Sequence, residues 1–103
     1  MAAIMVVYMD IADDSWIAPY FAEVPAILAE YGGVSIAGSR DVKTVEGDGR
    51  APDRVAVSSF PSLDAIDRFM ADERYQHYRD LREKGATSRI FAFENAVTTG
   101  QIA

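Results

Sequence analysis

The chain has 103 residues, a formal net charge of −6 and no cysteine, which bounds it to one small domain and excludes disulfides, thiolate nucleophiles, zinc knuckles and iron–sulfur clusters. Its composition is 50% hydrophobic and 25% charged, an ordinary globular balance that excludes a disordered or low-complexity chain. No apolar run approaches the roughly 20 residues of a membrane helix, and Met1-Ala2-Ala3 lacks the basic start of a signal peptide, so the reading is a cytoplasmic protein with no membrane partner.

Ala3 to Met9 (AIMVVYM) reads as a strand ended by Asp10 and the Asp13-Asp14-Ser15 cluster. Both of its faces, Ile4-Val6-Tyr8 and Met5-Val7-Met9, are apolar, so each needs a cover. Asp14 or Ser15 is placed to cap a helix in which Trp16, Ile17, Tyr20, Phe21, Val24, Ile27, Leu28 and Tyr31 recur at helical spacing. Pro25 falls inside that run and predicts a kink, and Gly32-Gly33 supplies the C-terminal cap.

Val34 to Arg40 (VSIAGSR) is the second strand, followed by a polar connection from Asp41 to Asp53 with a turn at Glu46-Gly47-Asp48-Gly49. Arg54 to Phe60 is the third strand, with Val55, Val57 and Ser59 on one face and Ala56, Ser58 and Phe60 on the other. Serines in such a strand face a cavity or bond locally to backbone. Pro61 stops the strand, Ser62 caps a helix striped by Leu63, Ile66, Phe69 and Met70, and Ala71-Asp72 is a joint at which Asp72 caps a further helical segment. That segment runs from Glu73 to Lys84 and is closed by Gly85; Arg89 to Glu94 (RIFAFE) is the last strand. A single domain over residues 1–97 is expected, with residues 98–103 as a small, mildly polar tail that would need a partner to dock on.

The order β-α-β-β-α-β predicts an α+β, ferredoxin-like domain: a four-stranded antiparallel sheet with its helices on one face. The other face cannot be solvated cheaply when strands one and four are apolar on both sides, so sheet-to-sheet pairing of two copies, a homodimer, is expected.

Tyr20 to Gly33 (YFAEVPAILAEYGG), Arg40, Glu46-Gly47, Phe60-Pro61-Ser62-Leu63, and Tyr75-Gln76 followed by Arg79 and Arg82 resemble the family catalogued as domain of unknown function number thirteen-thirty, within the dimeric α+β-barrel superfamily. The resemblance covers roughly residues 4 to 97 and rests on the order and spacing of these pieces together. It implies two protomers whose sheets form a barrel, with a pocket between each sheet and its helices or neighbouring loops, and it makes Pro25 a normal family feature. Superfamily relatives include cofactor-free monooxygenases of aromatic polyketides, muconolactone isomerase-like enzymes, haem-degrading enzymes, polyketide cyclases and stress proteins. Where the family often has Glu before Phe-Pro-Ser, this chain has Ser59, so no carboxylate base is expected there.

The candidate site residues follow from charge and spacing. Residues 1–53 hold nine acids against three bases, whereas residues 72–89 hold four acids against five bases plus His77, so positive charge gathers late in the chain. An acidic chain with no basic stripe is a poor nucleic-acid binder, but such a cluster can hold one small anion. Arg40 clamps a substrate carboxylate with Glu46 moving a proton, or the two pin a hairpin as a salt bridge. His77, the sole histidine, is a general base or a solvated helix position, and it has no partners for a metal. Tyr75 and Arg82 share one helical face, where Arg82 either bonds within the fold or holds an anion. Tyr8 and Ser59 are the remaining candidates for hydrogen bonds to a substrate, the more frequent role of a tyrosine such as Tyr8 being that of an ordinary core residue whose tip reaches a backbone group. No nucleotide fingerprint is present, and no cofactor is expected.

Together these readings predict a cofactor-free enzyme moving a proton on a small carboxylate- or enol-bearing molecule, with Glu46, His77 and Tyr75 as catalytic candidates and Arg40, Arg82, Tyr8 and Ser59 as substrate-binding candidates. The alternative is a non-catalytic homodimer that binds a metabolite or a protein.

Overall fold

The computed structural model describes residues 2–96. The expected tail, residues 98–103, lies outside them. The elements are β1 (Ala3–Ile11), α1 (Ile17–Glu30), β2 (Val34–Ser39), β3 (Arg54–Phe60), α2 (Leu63–Ala71), α3 (Glu73–Gly85) and β4 (Ala86–Glu94). They form an α+β, ferredoxin-like βαββαβ fold whose second helical unit is split in two at Asp72, with strand order β2-β3-β1-β4 and every neighbouring pair antiparallel. No helix among the described residues is long and apolar enough to cross a membrane.

The sequence periodicities become two faces of one sheet. Ala3, Met5 and Met9 point at the helices and are buried, joined there by Phe60 of β3. With Val24, Ile27, Ala65, Ile66, Phe69 and Tyr75 most of these make one core. Tyr8, Phe91 and Phe93 lie on the opposite face with Val34 at its edge, and each is 40% exposed or more. That uncovered face is largely apolar in β1 and β4, as the sequence predicts, and its polar members include Ser59 of β3 and Arg89 of β4.

Local chemistry sets the boundaries, in places differently from the sequence reading. The cap expected from Asp14 or Ser15 is not made: α1 begins after Trp16 with no side-chain cap. Ser15 instead gives its backbone N–H and its hydroxyl to the Asp13 carboxylate, both at 3.0 Å, a local turn that competes with capping. The Ser15 backbone donor, then its hydroxyl, holds the Asp13 carboxyl below its ordinary pKa. α1 runs through Pro25 as one helix, and the donor Pro25 lacks would have served the Phe21 carbonyl. At its end the Gly32 N–H bonds the Ala29 carbonyl and the Gly33 N–H the Leu28 carbonyl, with Gly32 at φ 78°, the left-handed cap that Gly32-Gly33 predicts.

β1 extends to Ile11 rather than stopping at Met9, and β4 starts at Ala86 rather than Arg89, because these ends pair with each other. Gly85 fixes that corner, its carbonyl accepting from the N–H groups of Ala12 and Asp13. β2 ends at Ser39, leaving Arg40 outside the sheet, and a bulge interrupts its pairing between Ser35 and Ala37. Asp53 ties the polar loop back to β1 by accepting from the Ile11 N–H at 2.7 Å and by pairing with Arg50. Ser62 caps α2 and Asp72 caps α3, both as expected.

Candidate functional site

Beneath α1, between it and the sheet, lies a cavity of about 80 Å³. Met5, Val7, Met9, Val24 and Phe69 give it an apolar lining, while Tyr20, Tyr75, Arg82, Ser58 and Ser35 supply the polar groups. Its exposed wall residues are Phe21 and Pro25 of α1 and Ser35 of β2, so the mouth lies between the helix and the edge strand. An enclosed cavity of about 150 Å³ holds a benzene ring; this one is about half that size and opens at the mouth.

The polar end is built by three side chains from two helices. α3 presents Tyr75 and Arg82 two turns apart on its buried face, at 1% and 2% exposure. α1 brings Tyr20 across to them. The hydroxyls of Tyr20 and Tyr75 are 3.4 Å apart, and Arg82 Nη2 donates to the Tyr75 hydroxyl at 3.5 Å. Aromatic neighbours hold both phenols: Tyr20 packs edge-on against Trp16 and Phe21, and Tyr75 lies tilted by 33° over Phe69, 4.4 Å centroid to centroid.

The electrostatics of this cluster are unbalanced. Arg82 is almost wholly buried, pairs with no carboxylate among the described residues, and leaves Nε without a partner. A buried guanidinium is normally paired, since desolvating it uncompensated is costly. Burial, and then the neighbouring Tyr75, push the Tyr20 phenol far above its ordinary pKa, with Arg82 opposing. Tyr20 therefore stays a neutral hydrogen-bond donor at any physiological pH. No carboxylate and no imidazole line the cavity among the described residues. Its equipment is donors: the site can hold and stabilise an anion, and it has no side chain of its own suited to take up a proton near neutrality.

At the mouth, the Arg54 guanidinium lies 4.2 Å over the Phe21 ring. Burial and the adjacent Arg40 lower the pKa of Arg54, and Tyr20 acts the other way. Arg40 itself lines a separate polar hollow with Asp13, Asp14, Arg50 and Asp53.

Of the residues named from sequence, the fold brings Tyr75 and Arg82 together in the cavity. Tyr8 and Ser59 stand on the uncovered sheet face, Tyr8 edge-on to Phe91 at 6.0 Å and Ser59 opposite Ile4 and Val34. Arg40 and Glu46 are exposed and do not pair with each other, and His77 is exposed with its ring edge against Tyr78. No group of His, Asp and Glu suited to a metal occurs among the described residues. Tyr20 and Arg54 are not among the sequence candidates, and Ser58 appears there only as one of two strand serines placed to face a cavity or bond to backbone. Tyr20 sits on the apolar stripe of α1, and its only signal was a phenol tip that has to find a partner when buried. Ser58 and Ser59 are adjacent, and only strand register decides which one faces the cavity.

The model of the family described as Domain of unknown function (DUF1330) matches residues 2–96. A protein of unknown function from Rhodopseudomonas palustris, RPA0582, superposes with a TM-score of 0.79 at 15% identity, over 94% of this chain and 84% of that one. SnoaB, a cofactor-independent oxygenase from Streptomyces nogalater, gives 0.69 at 15% identity over 97% and 98% of the two chains. A dimeric protein of unknown function with a ferredoxin-like fold from Bacteroides fragilis gives 0.55 at 10% identity over 91% and 96%. At these identities the likeness is one of fold. No curated protein matches the chain.

Proposed function

We propose, from the premise that the chain belongs to the Domain of unknown function (DUF1330) family, that it binds a small, largely apolar acid in the cavity beneath α1 and performs cofactor-free chemistry there. The ligand's carboxylate or enolate oxygen accepts from Arg82 and from the Tyr75 and Tyr20 hydroxyls, while its hydrocarbon part lies against Met5, Val24 and Phe69. The observation that carries this reading is the buried Arg82 without a carboxylate partner, set in an apolar cavity.

The lining favours a particular class of step. With no carboxylate or imidazole in its lining, the site suits a substrate that enters already ionised, and it stabilises charge spreading onto oxygen during isomerisation, cyclisation or reaction with dioxygen. The structural likeness to a cofactor-independent oxygenase supports the last of these by analogy. Arg40 and Arg54 add positive charge near the mouth of an otherwise acidic chain and draw the anion in. Glu46 and His77 stand outside this reading.

The uncovered sheet face carries the second half of the proposal, a homodimer in which Tyr8, Phe91 and Phe93 meet the same face of a second copy. The dimeric ferredoxin-like neighbour supports it. Ser59 then lies inside the barrel. A non-catalytic metabolite-binding dimer is the competing reading, and the lack of a proton acceptor in the cavity is what favours it.

A thermal-shift screen of small carboxylic acids and enols, each beside its methyl ester or ether, tests the binding claim. Acids are expected to raise Tm with concentration and their esters to leave it unchanged. Esters that bind as well as acids would refute the role given to Arg82. Turnover of a bound acid under air, followed by oxygen uptake and product mass, separates the enzyme from the binding protein.

A further inference from the structure

Arg82 stands between two hollows. Besides the cavity under α1 it lines a crevice of about 240 Å³ between α3 and β4, together with Met70, Arg79, Glu83, Ser88 and Ile90. Two buried polar atoms on these walls have no hydrogen-bond partner among the described residues: Arg82 Nε and Ser88 Oγ. Ser88 is on the helix-facing side of β4, opposite Met9 of β1, so register turns its side chain into the interior.

The charges of the crevice do not cancel. Arg79 donates through Nε to Glu83 at 3.1 Å, which leaves its terminal nitrogens uncommitted and neutralises one guanidinium. Arg82 remains as a surplus positive charge. A guest that accepts from an Nε–H and a hydroxyl while carrying negative charge answers all three features at once, whereas a water answers only the first two.

We propose that the α3–β4 crevice is a second site, for a small oxyanion of the phosphate or carboxylate class, held by Arg82 and Ser88 with Arg79 at its edge. This site shares Arg82 with the cavity but rests on its unpartnered Nε and on Ser88, so it is tested apart from the function proposed above. If both hollows are used, one guanidinium serves two anions, and filling either lowers the affinity of the other by the same factor.

The test titrates the full chain with inorganic phosphate and, in a parallel arm, with acetate, each against sodium chloride of matched ionic strength, following backbone amide NMR shifts. The site predicts saturable shifts at residues 79–90. Ser88→Ala and Arg79→Gln each weaken the midpoint about tenfold, the order expected for losing a hydrogen bond to a charged group. Glu83→Gln, which removes the crevice's carboxylate at a position whose side chain is 54% exposed, tightens it without threatening the fold. Saturation by phosphate alone assigns the site to tetrahedral oxyanions, and saturation by acetate as well assigns it to oxyanions in general. Shifts that merely follow ionic strength, or a titration that Ser88→Ala and Glu83→Gln both leave unmoved, overturn the proposal.

Discussion

Tyr31, at the end of α1, donates its hydroxyl to Asp72 Oδ2 at 2.6 Å, joining the first helix to the hinge between α2 and α3. The same carboxylate caps α3 by accepting from the backbone N–H groups of Arg74 and Tyr75, and it pairs with the Arg74 guanidinium, which also reaches Glu30. Arg74 and then Tyr31 hold the Asp72 carboxyl well below its ordinary pKa. One side chain therefore positions the helix that carries Tyr75 and Arg82.

A pH dependence follows from that depressed carboxyl. The charged form is favoured by folding, so its contribution is complete above the unfolded-state pKa of about 4 and is lost as pH falls through the lower folded value. Stability measured by urea unfolding is expected to decline below about pH 4, with Asp72→Asn flattening part of that slope. An unchanged acid limb in Asp72→Asn would remove the hinge from the account.

Arg82→Met separates binding from folding. A buried guanidinium with no carboxylate contributes little to the fold, and an apolar side chain of similar length packs in its place, so stability should hold or rise by on the order of 1 kcal/mol. The Tm shift given by an acid ligand should vanish in the same variant. A sharp loss of stability would instead make Arg82 a structural residue. Tyr75→Phe is the milder companion, weakening the acid about tenfold.

Gly85 carries a packing demand that its position at a helix end conceals. A Cβ placed there would lie 2.5 Å from Trp16 Cδ1 and 2.6 Å from the Asp13 carbonyl oxygen. Gly85→Ala is expected to cost about 1–3 kcal/mol by overpacking, read from the denaturation midpoint. Gly47→Ala makes a useful contrast: nothing lies within 4 Å of its added Cβ, and its cost comes from the left-handed backbone at φ 102°.

The uncovered sheet face predicts association. Phe91 and Phe93 are 44% and 48% exposed in one protomer, so Phe91→Asp should fold as a single chain while its solution mass, by sedimentation or light scattering, falls from dimer to monomer. A wild-type chain that is already monomeric at micromolar concentration would refute the barrel arrangement.

Strand and helix periodicity, the Gly32-Gly33 cap, the Ser62 and Asp72 caps and the apolar character of both faces of β1 were all legible in the residues, because each depends on local backbone chemistry or on a pattern of two or 3.6. The ends of β1 and β4 were not, since they are set by pairing with each other across most of the chain. The start of α1 was misplaced because the side chain that accepts a backbone donor there is Asp13, which turns the chain through the Ser15 N–H, and neither Asp14 nor Ser15 caps the helix.

For the site, the residues alone place Tyr75 and Arg82 on one face of α3, because helical spacing makes positions seven apart neighbours. It takes the packed fold to close this face into a cavity with Tyr20 of α1, to turn Ser58 rather than Ser59 into it, and to leave Arg40, Glu46 and His77 at the surface. Spacing constrains residues on one element. Which elements meet, in what register and with how much space left between them, is a property of packing, and packing is settled by the whole chain at once.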